Sequence, residues 1–197
     1  MGSAGARLSI KTASAGVELD GVTGPVDVFT VSGQVRVGGK PASVTAESMD
    51  GNIELAVESP RAEVHTASGV VVLRGVIQNA IVSSISGPLY IGMEGKIARA
   101  RFETVSSEIA FKGDLDPEGV LEAESHSGNI ELRLPEHLGA TYSLTAYSGE
   151  LHTEFQTVTA RPQKGEWRFA VGDGRAQVTV RTFKGRVDLK KRFEPGQ

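Results

Sequence analysis

The side chains in this sequence that could do chemistry are its histidines and a set of carboxylates. The four histidines, His65, His126, His137 and His152, are far apart in the chain and lack the spacing of a zinc motif such as H-E-x-x-H. The chain has no cysteine, so it has no thiolate ligand for a metal. We interpret the histidines as solvated strand or loop residues. The sequence predicts no metal site, no cofactor site and no catalytic residue.

Four acids, Glu18, Asp27, Glu54 and Glu63, occupy outward positions of a repeated pattern. Glycosidases use two carboxyl groups roughly 5–9 Å apart, and stacked strands about 4.8 Å apart would supply such pairs. A polysaccharide-active enzyme is therefore one alternative. Arg36 alternates with these acids, which is typical of the solvated face of a sheet. Serine precedes glycine in most repeats, but the G-x-S-x-G motif of a nucleophilic serine is absent. We therefore predict that the chain is not an enzyme.

The pattern that carries these residues is a short turn followed by alternating apolar residues. One copy reads Thr66-Ala67-Ser68-Gly69-Val70-Val71-Val72-Leu73. We call the residue in the position of Gly69 the turn residue; its copies are Ala15, Gly33, Gly51, Gly69, Gly87, Ser107, Gly128, Gly149 and Gly185. Successive copies are 18 residues apart four times, and then 20, 21, 21 and 36 residues apart. Periods of this length indicate stacked structural repeats.

Apolar residues recur seven and five positions before the turn residue, and two and four positions after it. This alternation predicts two short, half-buried strands in each repeat. The columns keep one direction, which favours parallel coils over a meander of antiparallel hairpins. We predict an all-β, single-domain β-solenoid over residues 6–193, with about nine repeats of 18–21 residues. Residues 1–5 are predicted to be an expression remnant or disordered, and residues 194–197 a disordered tail.

Polar residues also recur at fixed positions within the turns. Threonine or serine stands three positions before the turn residue in almost every repeat, which predicts a ladder of hydroxyl groups. Serine or aspartate directly before the turn residue is expected to bond the turn backbone, and glycine to supply a positive φ.

The regular spacing of the turn residues is interrupted between Gly149 and Gly185, where the interval nearly doubles. We predict a hairpin insertion or a degenerate repeat there, with a loop over 157–165 and a strand over 166–171. Trp167 is expected to cover the end of the stack, and the basic residues Lys190, Lys191 and Arg192 to blunt its edge.

The most informative deviation is a group of apolar residues in columns that are otherwise polar. Such a patch is typical of an interaction surface, although a loop or the hairpin near Trp167 could cover it. The patch consists of Val70, Val72, Ile81, Pro88, Tyr90 and Ala110.

The net charge of −3 argues against a nucleic-acid partner. No apolar run approaches the length of about 18 residues that a membrane span needs. The start of the chain lacks the charged and apolar regions of a signal peptide. The sequence therefore shows neither signal nor anchor, and the compartment stays open.

The Thr-x-Ser-Gly-x-Ile-x-Leu pattern, repeated at about twenty residues, resembles a bacterial family of adhesin-like domains of unknown function. The closing segments Val171–Gly174, Val178–Thr182 and Lys184–Leu189 are similar to the usual end of such domains. The resemblance covers nearly the whole chain and implies a β-helix-like domain, of a kind often found on bacterial proteins linked to the cell envelope, with no established enzyme activity.

We accordingly expect a non-enzymatic, adhesin-like binding module with a protein or glycan partner. The resemblance favours an extracytoplasmic or envelope-associated location, with the cytoplasm as the alternative. A second hypothesis is a structural β-helix protein that assembles into homo-oligomers through the ends of its solenoid.

Overall fold

The computed structural model describes residues 5–155 and 165–192, which form strands and no helix. No described residue therefore belongs to a helix that could cross a membrane. The predicted expression remnant, the predicted loop and the predicted tail fall largely outside the described residues. The strands are β1 (Leu8–Thr12), β2 (Val17–Val22), β3 (Pro25–Thr30), β4 (Val35–Gly39), β5 (Ser43–Ser48), β6 (Ile53–Thr66), β7 (Val71–Ser84), β8 (Leu89–Thr104), β9 (Ile109–Ser125), β10 (Ile130–Pro135), β11 (Ala140–Ala146), β12 (Leu151–Thr153), β13 (Glu166–Val171), β14 (Ala176–Thr182) and β15 (Val187–Arg192).

The strands form a β-solenoid, as the sequence predicts. Each coil has a first strand, a turn and a second strand, and the long strands β6 to β9 each run from the second strand of one coil into the first strand of the next. Val26 pairs in parallel with both Leu8 and Val44, and Leu73 with both Leu55 and Ile91. About seven coils stack in chain order. An antiparallel meander is excluded for this part of the chain.

The predicted apolar columns fill the interior. Val35, Leu55, Leu73, Phe102 and Phe111 are each no more than 1% exposed. Full burial of such a side chain contributes about 1.5–3 kcal/mol. A single coil cannot enclose these side chains by itself, so the coils depend on their neighbours for stability.

The last two layers are not stacked in chain order. Strand β14 lies between β9 and β11, and β15 lies between β10 and β12. Val178 therefore pairs with Leu121 on one side and Tyr142 on the other. The final repeat of the sequence, β14 and β15, is inserted before the layer formed by β11 and β12; we call it the inserted layer. The layers can depart from the order of the repeats because every repeat offers its neighbours the same apolar columns.

The end of the stack is covered by β13, which pairs antiparallel with β11. This is the extra strand predicted near the C-terminus. Trp167 lies opposite Leu144 and packs, partly buried, against the core. The basic residues of β15 pair with β10 and extend past the pairing of β15 with β12, which ends at Leu189. The Lys190 ammonium lies 2.5 Å from the Glu131 carboxylate, and that of Lys191 lies 2.6 Å from Glu136.

Glycine occupies the turn residue in most coils because consecutive coils approach closely there. A Cβ atom on Gly69 would lie 2.0 Å from the carbonyl oxygen of Gly51, and one on Gly51 equally close to that of Gly33. The predicted reason, a positive φ, is wrong for these positions. Positive φ occurs instead at glycines of other turns, including Gly21 and Gly75.

Replacement of Gly69 by alanine should therefore destabilise the protein. We expect Gly69→Ala to lower the free energy of unfolding by about 1–3 kcal/mol, the range for overpacking of a tight interior. Gly16→Ala is the matched control, because a Cβ on Gly16 would meet only the Gln34 carbonyl oxygen at 3.6 Å. Its effect should stay within about 0.5 kcal/mol. Urea unfolding of both variants measures the difference, and equal losses would contradict the close-approach argument.

Candidate functional site

The turns hold their backbone with two kinds of hydroxyl hydrogen bond. Within a coil, the hydroxyl three positions before the turn residue accepts the turn N–H, as from Gly87 to Ser84 Oγ at 2.7 Å. Between coils, the serine directly before the turn residue donates to a carbonyl of the preceding coil, as from Ser86 Oγ to Ala67 at 3.2 Å. The predicted hydroxyl ladder is thus a set of turn clamps. The residue between these two positions points to solvent.

These outward side chains line up along the stack and are mostly apolar. We call them the turn row; in layer order they are Ala13, Val31, Met49, Ala67, Ile85, Val105, His126, Phe183 and Tyr147. Ile85 is 57% exposed and Tyr147 is 68% exposed. Large apolar side chains seldom form a continuous exposed series on a monomeric protein. The turn row is therefore a candidate interaction surface.

The inserted layer builds the aromatic end of the turn row. It places Phe183 between His126 and Tyr147, with ring-centroid distances of 5.2 Å and 5.9 Å. The His126 and Phe183 rings are stacked with an interplanar angle of 4°. If the layers followed chain order, His126 and Tyr147 would be adjacent instead.

A groove of about 800 Å³ runs beside the turn row. Its lining includes the buried hydroxyls of Ser84 and Ser125, the carboxylates of Glu103 and Glu124, and the guanidinium of Arg181. The groove thus joins an apolar rim to a wall of mixed charge.

The acids are more numerous than the cations in this wall. Arg101 contacts Glu103 at 2.5 Å and Glu122 at 3.7 Å, and Glu124 lies in register with Arg181 on β14. Arg101 and Glu122 lie outside the lining of the groove, which holds the carboxylates of Glu103 and Glu124 and the guanidinium group of Arg181. The groove therefore favours a partner that brings positive charge.

The six apolar residues predicted as one patch lie on three parts of the surface. Val72, Tyr90 and Ala110 are neighbours in register on the outer face of the second strands. Ile81 lies on the outer face of the first strands, in register with Glu63 and Arg101. Val70 and Pro88 directly follow turn residues, close to the turn row.

Tyr90 is the most exposed member of that patch, at 40%. Its hydroxyl donates a hydrogen bond to the Glu108 carboxylate, which raises the pKa of Tyr90. Trp167 lies on the terminal strand opposite Leu144, so it does not cover Tyr90.

The predicted carboxylate pairs are not arranged as catalytic pairs. Arg36 lies between Glu18 and Glu54 in register, and it binds Glu54 at 3.2 Å. Glu63 accepts hydrogen bonds from Arg61 and His65, and these bonds lower its pKa. A general acid of a glycosidase needs a raised pKa. The acids of these columns therefore resemble solvated, ion-paired surface residues.

The histidines make separate local contacts. His65 lies between Ser83 and Glu63, at 2.7 Å and 3.1 Å, and His152 lies 3.6 Å from Glu150. His126 stacks on Phe183. Over residues 5–155 and 165–192, no group of three or more histidine or acidic side chains could hold a metal ion.

Comparison of this chain with known proteins found no matching family model, no similar curated protein and no similar solved structure. Of the properties that the adhesin-like resemblance implies, the structure establishes the β-solenoid fold.

The turn row does have a signature in the sequence, which is a repeated apolar residue inside the turn. Val31, Met49, Ile85, Val105 and Phe183 all stand two positions before a turn residue. A position inside a tight turn is expected to be polar, so its repeated apolar character could have identified the surface.

The coil of Ser107 gives a test of the turn clamps. Serine replaces glycine there, and the buried Thr104 hydroxyl has no hydrogen-bond partner among the described residues. We expect Thr104→Val to change the free energy of unfolding little, because it removes an unsatisfied polar atom and keeps the shape. Ser84→Ala should cost about 1–3 kcal/mol, because it leaves the buried N–H of Gly87 unpaired.

Urea unfolding of both variants measures this difference. A loss in Thr104→Val as large as that in Ser84→Ala would show that the Thr104 hydroxyl has a partner in solution.

Proposed function

We propose that this protein is a non-enzymatic, adhesin-like binding module, and that the turn row is its binding surface. The observation that carries the proposal is that six large apolar side chains of the turn row are exposed and are spaced by the stacked coils: Val31, Met49, Ile85, Val105, Phe183 and Tyr147. Exposure of so many apolar side chains on one line is unfavourable in water and is typical of a surface that a partner covers. The ion-paired acids support binding rather than catalysis.

The shape of the turn row favours an elongated protein partner. Nine layers at about 4.8 Å give a row of roughly 38 Å. An α-helix of about 25 residues has the same length. The carboxylates of Glu103 and Glu124 favour basic residues beside its apolar stripe. We therefore propose an amphipathic helix with basic flanks as the partner element.

A second copy of this chain fits the turn row less well. Two rows that meet about a two-fold axis near the middle of the stack would bring the acids of one groove close to those of the other. End-to-end assembly, the structural alternative, is disfavoured at one end of the stack, because β13 runs antiparallel there and interrupts the parallel pattern.

Membership of the bacterial adhesin-like family belongs to the same proposal. It rests on the Thr-x-Ser-Gly-x-Ile-x-Leu repeat and on the closing segments of the sequence. Association with the cell envelope rests on that resemblance alone.

The proposal can be tested with a synthetic helical peptide of about 25 residues that carries leucine at helical spacing and lysine elsewhere. Isothermal titration calorimetry should show binding to the protein. The double variant Ile85→Ser/Val105→Ser should weaken it roughly tenfold or more, because burial of each apolar side chain contributes about 1.5 kcal/mol. Both positions are exposed, so the melting temperature should not fall.

Tyr90→Ser is the matched control, because Tyr90 is a comparably exposed apolar residue away from the turn row. An equal loss of binding in this variant, or no binding by the unaltered protein, would contradict the proposal. Light scattering after size exclusion tests the alternative occupant. A concentration-dependent oligomer that Ile85→Ser/Val105→Ser dissolves would show that the row binds a second copy.

A further inference from the structure

One outward column of the second strands carries an unusual series of cations. Arg74 on β7, Lys112 on β9, Arg133 on β10 and Lys190 on β15 are in register, with Gly92 of β8 between the first two. We call these four cations the basic column. The protein as a whole has a net charge of −3, so the column is not part of a generally basic surface.

The basic column is poorly compensated. Lys112, Arg133 and Lys190 are direct neighbours in adjacent layers, and like charges opposite each other destabilise a sheet. Among the described residues, Glu131 is the acid that contacts these cations. It lies 2.7 Å from Arg133 and 2.5 Å from Lys190. Arg74 and Lys112 have no ion pair in the described part of the chain.

Several cations of other outward columns are paired with an acid of the next coil. Arg36 binds Glu54 at 3.2 Å, and Lys40 binds Glu58 at 2.7 Å. The basic column departs from this arrangement. Arg74 and Lys112, which have no ion pair among the described residues, leave an excess of positive charge there, and such an excess attracts a ligand of opposite sign.

The glycine in this column creates a notch. The side chains of Arg74 and Lys112 flank Gly92, and the exposed ring of Tyr90 stands beside them. The resulting cavity has a volume of about 290 Å³. Its lining includes the cations Arg74, Lys112 and Arg133, together with Tyr90 and Gly92. The carboxylate of Glu131 also lines it and is ion-paired with Arg133. The hydrogen bond from the Tyr90 hydroxyl to Glu108 holds the ring in place.

We infer that the basic column binds a linear acidic polysaccharide, with one sugar ring in the notch at Gly92 and its acid groups on Arg74 and Lys112. An extended chain of pyranose rings advances by close to one coil spacing per sugar. In a two-fold extended chain alternate sugars present their acid groups on the same side, so these charges recur about every two coils, which is the separation of Arg74 and Lys112. The acidic side chains of an extended peptide recur on one face only every ~6.8 Å and would lose register with coils about 4.8 Å apart.

Single-stranded nucleic acid fits less well. Proteins that bind it offer several aromatic platforms for successive bases, whereas this notch has one. The inference goes beyond the proposed function, because the basic column lies on the second strands and the turn row lies on the turns.

Binding of a polygalacturonate fragment, followed by calorimetry at low salt, tests the inference. We expect the double variant Arg74→Glu/Lys112→Glu to reduce the affinity by roughly tenfold or more, and added salt to weaken binding to the unaltered protein. The double variant Lys11→Glu/Arg99→Glu is the charge-matched control, because it reverses two exposed cations on the first strands, and it should retain most of the affinity. An equal loss of affinity in both variants would show that binding depends on net charge alone and would overturn the proposed site.

The choice of ligand class is tested with three further polymers. A neutral dextran should not bind, and polyglutamate and oligothymidylate should bind at least about tenfold more weakly than polygalacturonate. Equal binding of either polyanion would overturn the polysaccharide assignment.

Thermal unfolding gives an independent readout without any ligand. Lys112→Gln should keep or raise the melting temperature, because it relieves repulsion from Arg133. A clear decrease would show that Lys112 has a stabilising partner and would contradict an open anion site.

Discussion

The structure depends on the close approach of consecutive coils at the turn residue. The Gly51 carbonyl oxygen lies 2.0 Å from the place where a Cβ on Gly69 would be. With glycine there, the coils can approach closely enough for hydroxyl clamps to form within each turn and between neighbouring turns. These clamps fix the backbone on both sides of one residue, and that residue must point outward. The turn row is thus a geometric consequence of backbone packing, and only its apolar character is a separate property of the sequence.

The coil of Ser107 shows what happens when the constraint is relaxed. A serine Cβ cannot occupy the space that glycine leaves free, so the turn N–H no longer reaches the hydroxyl three positions earlier. The buried Thr104 hydroxyl is left without a partner among the described residues. The interval before this turn is also the first that departs from 18 residues. The parallel pairing of β8 and β9 nevertheless continues through Phe102 and Ile91, which indicates that the apolar columns hold the register where a clamp is missing.

Periodicity predicted the coil but not the order of the layers. The spacing of Val35, Ile53 and Val71 is enough to predict parallel strands in register, because a one-residue slip would turn every core side chain outward. The same regularity makes Val178 and Tyr142 equally acceptable neighbours of Leu121, so the inserted layer could not be recognised from the sequence. The turn row was missed for a related reason. Tyr90 and Ile81 stand out because they are apolar in columns that are otherwise polar. The residues of the turn row do not stand out in this way, because most members of their column are apolar.

The inserted layer connects the two candidate surfaces. Its turn supplies Phe183, which completes the aromatic end of the turn row between His126 and Tyr147. Its second strand supplies Lys190, which extends the basic column beyond Arg133. Both contributions exist only after β14 and β15 have entered between layers that precede them in the chain. The C-terminal repeat therefore contributes both to the core and to the two candidate surfaces, so the integrity of these surfaces depends on the correct placement of the last layer.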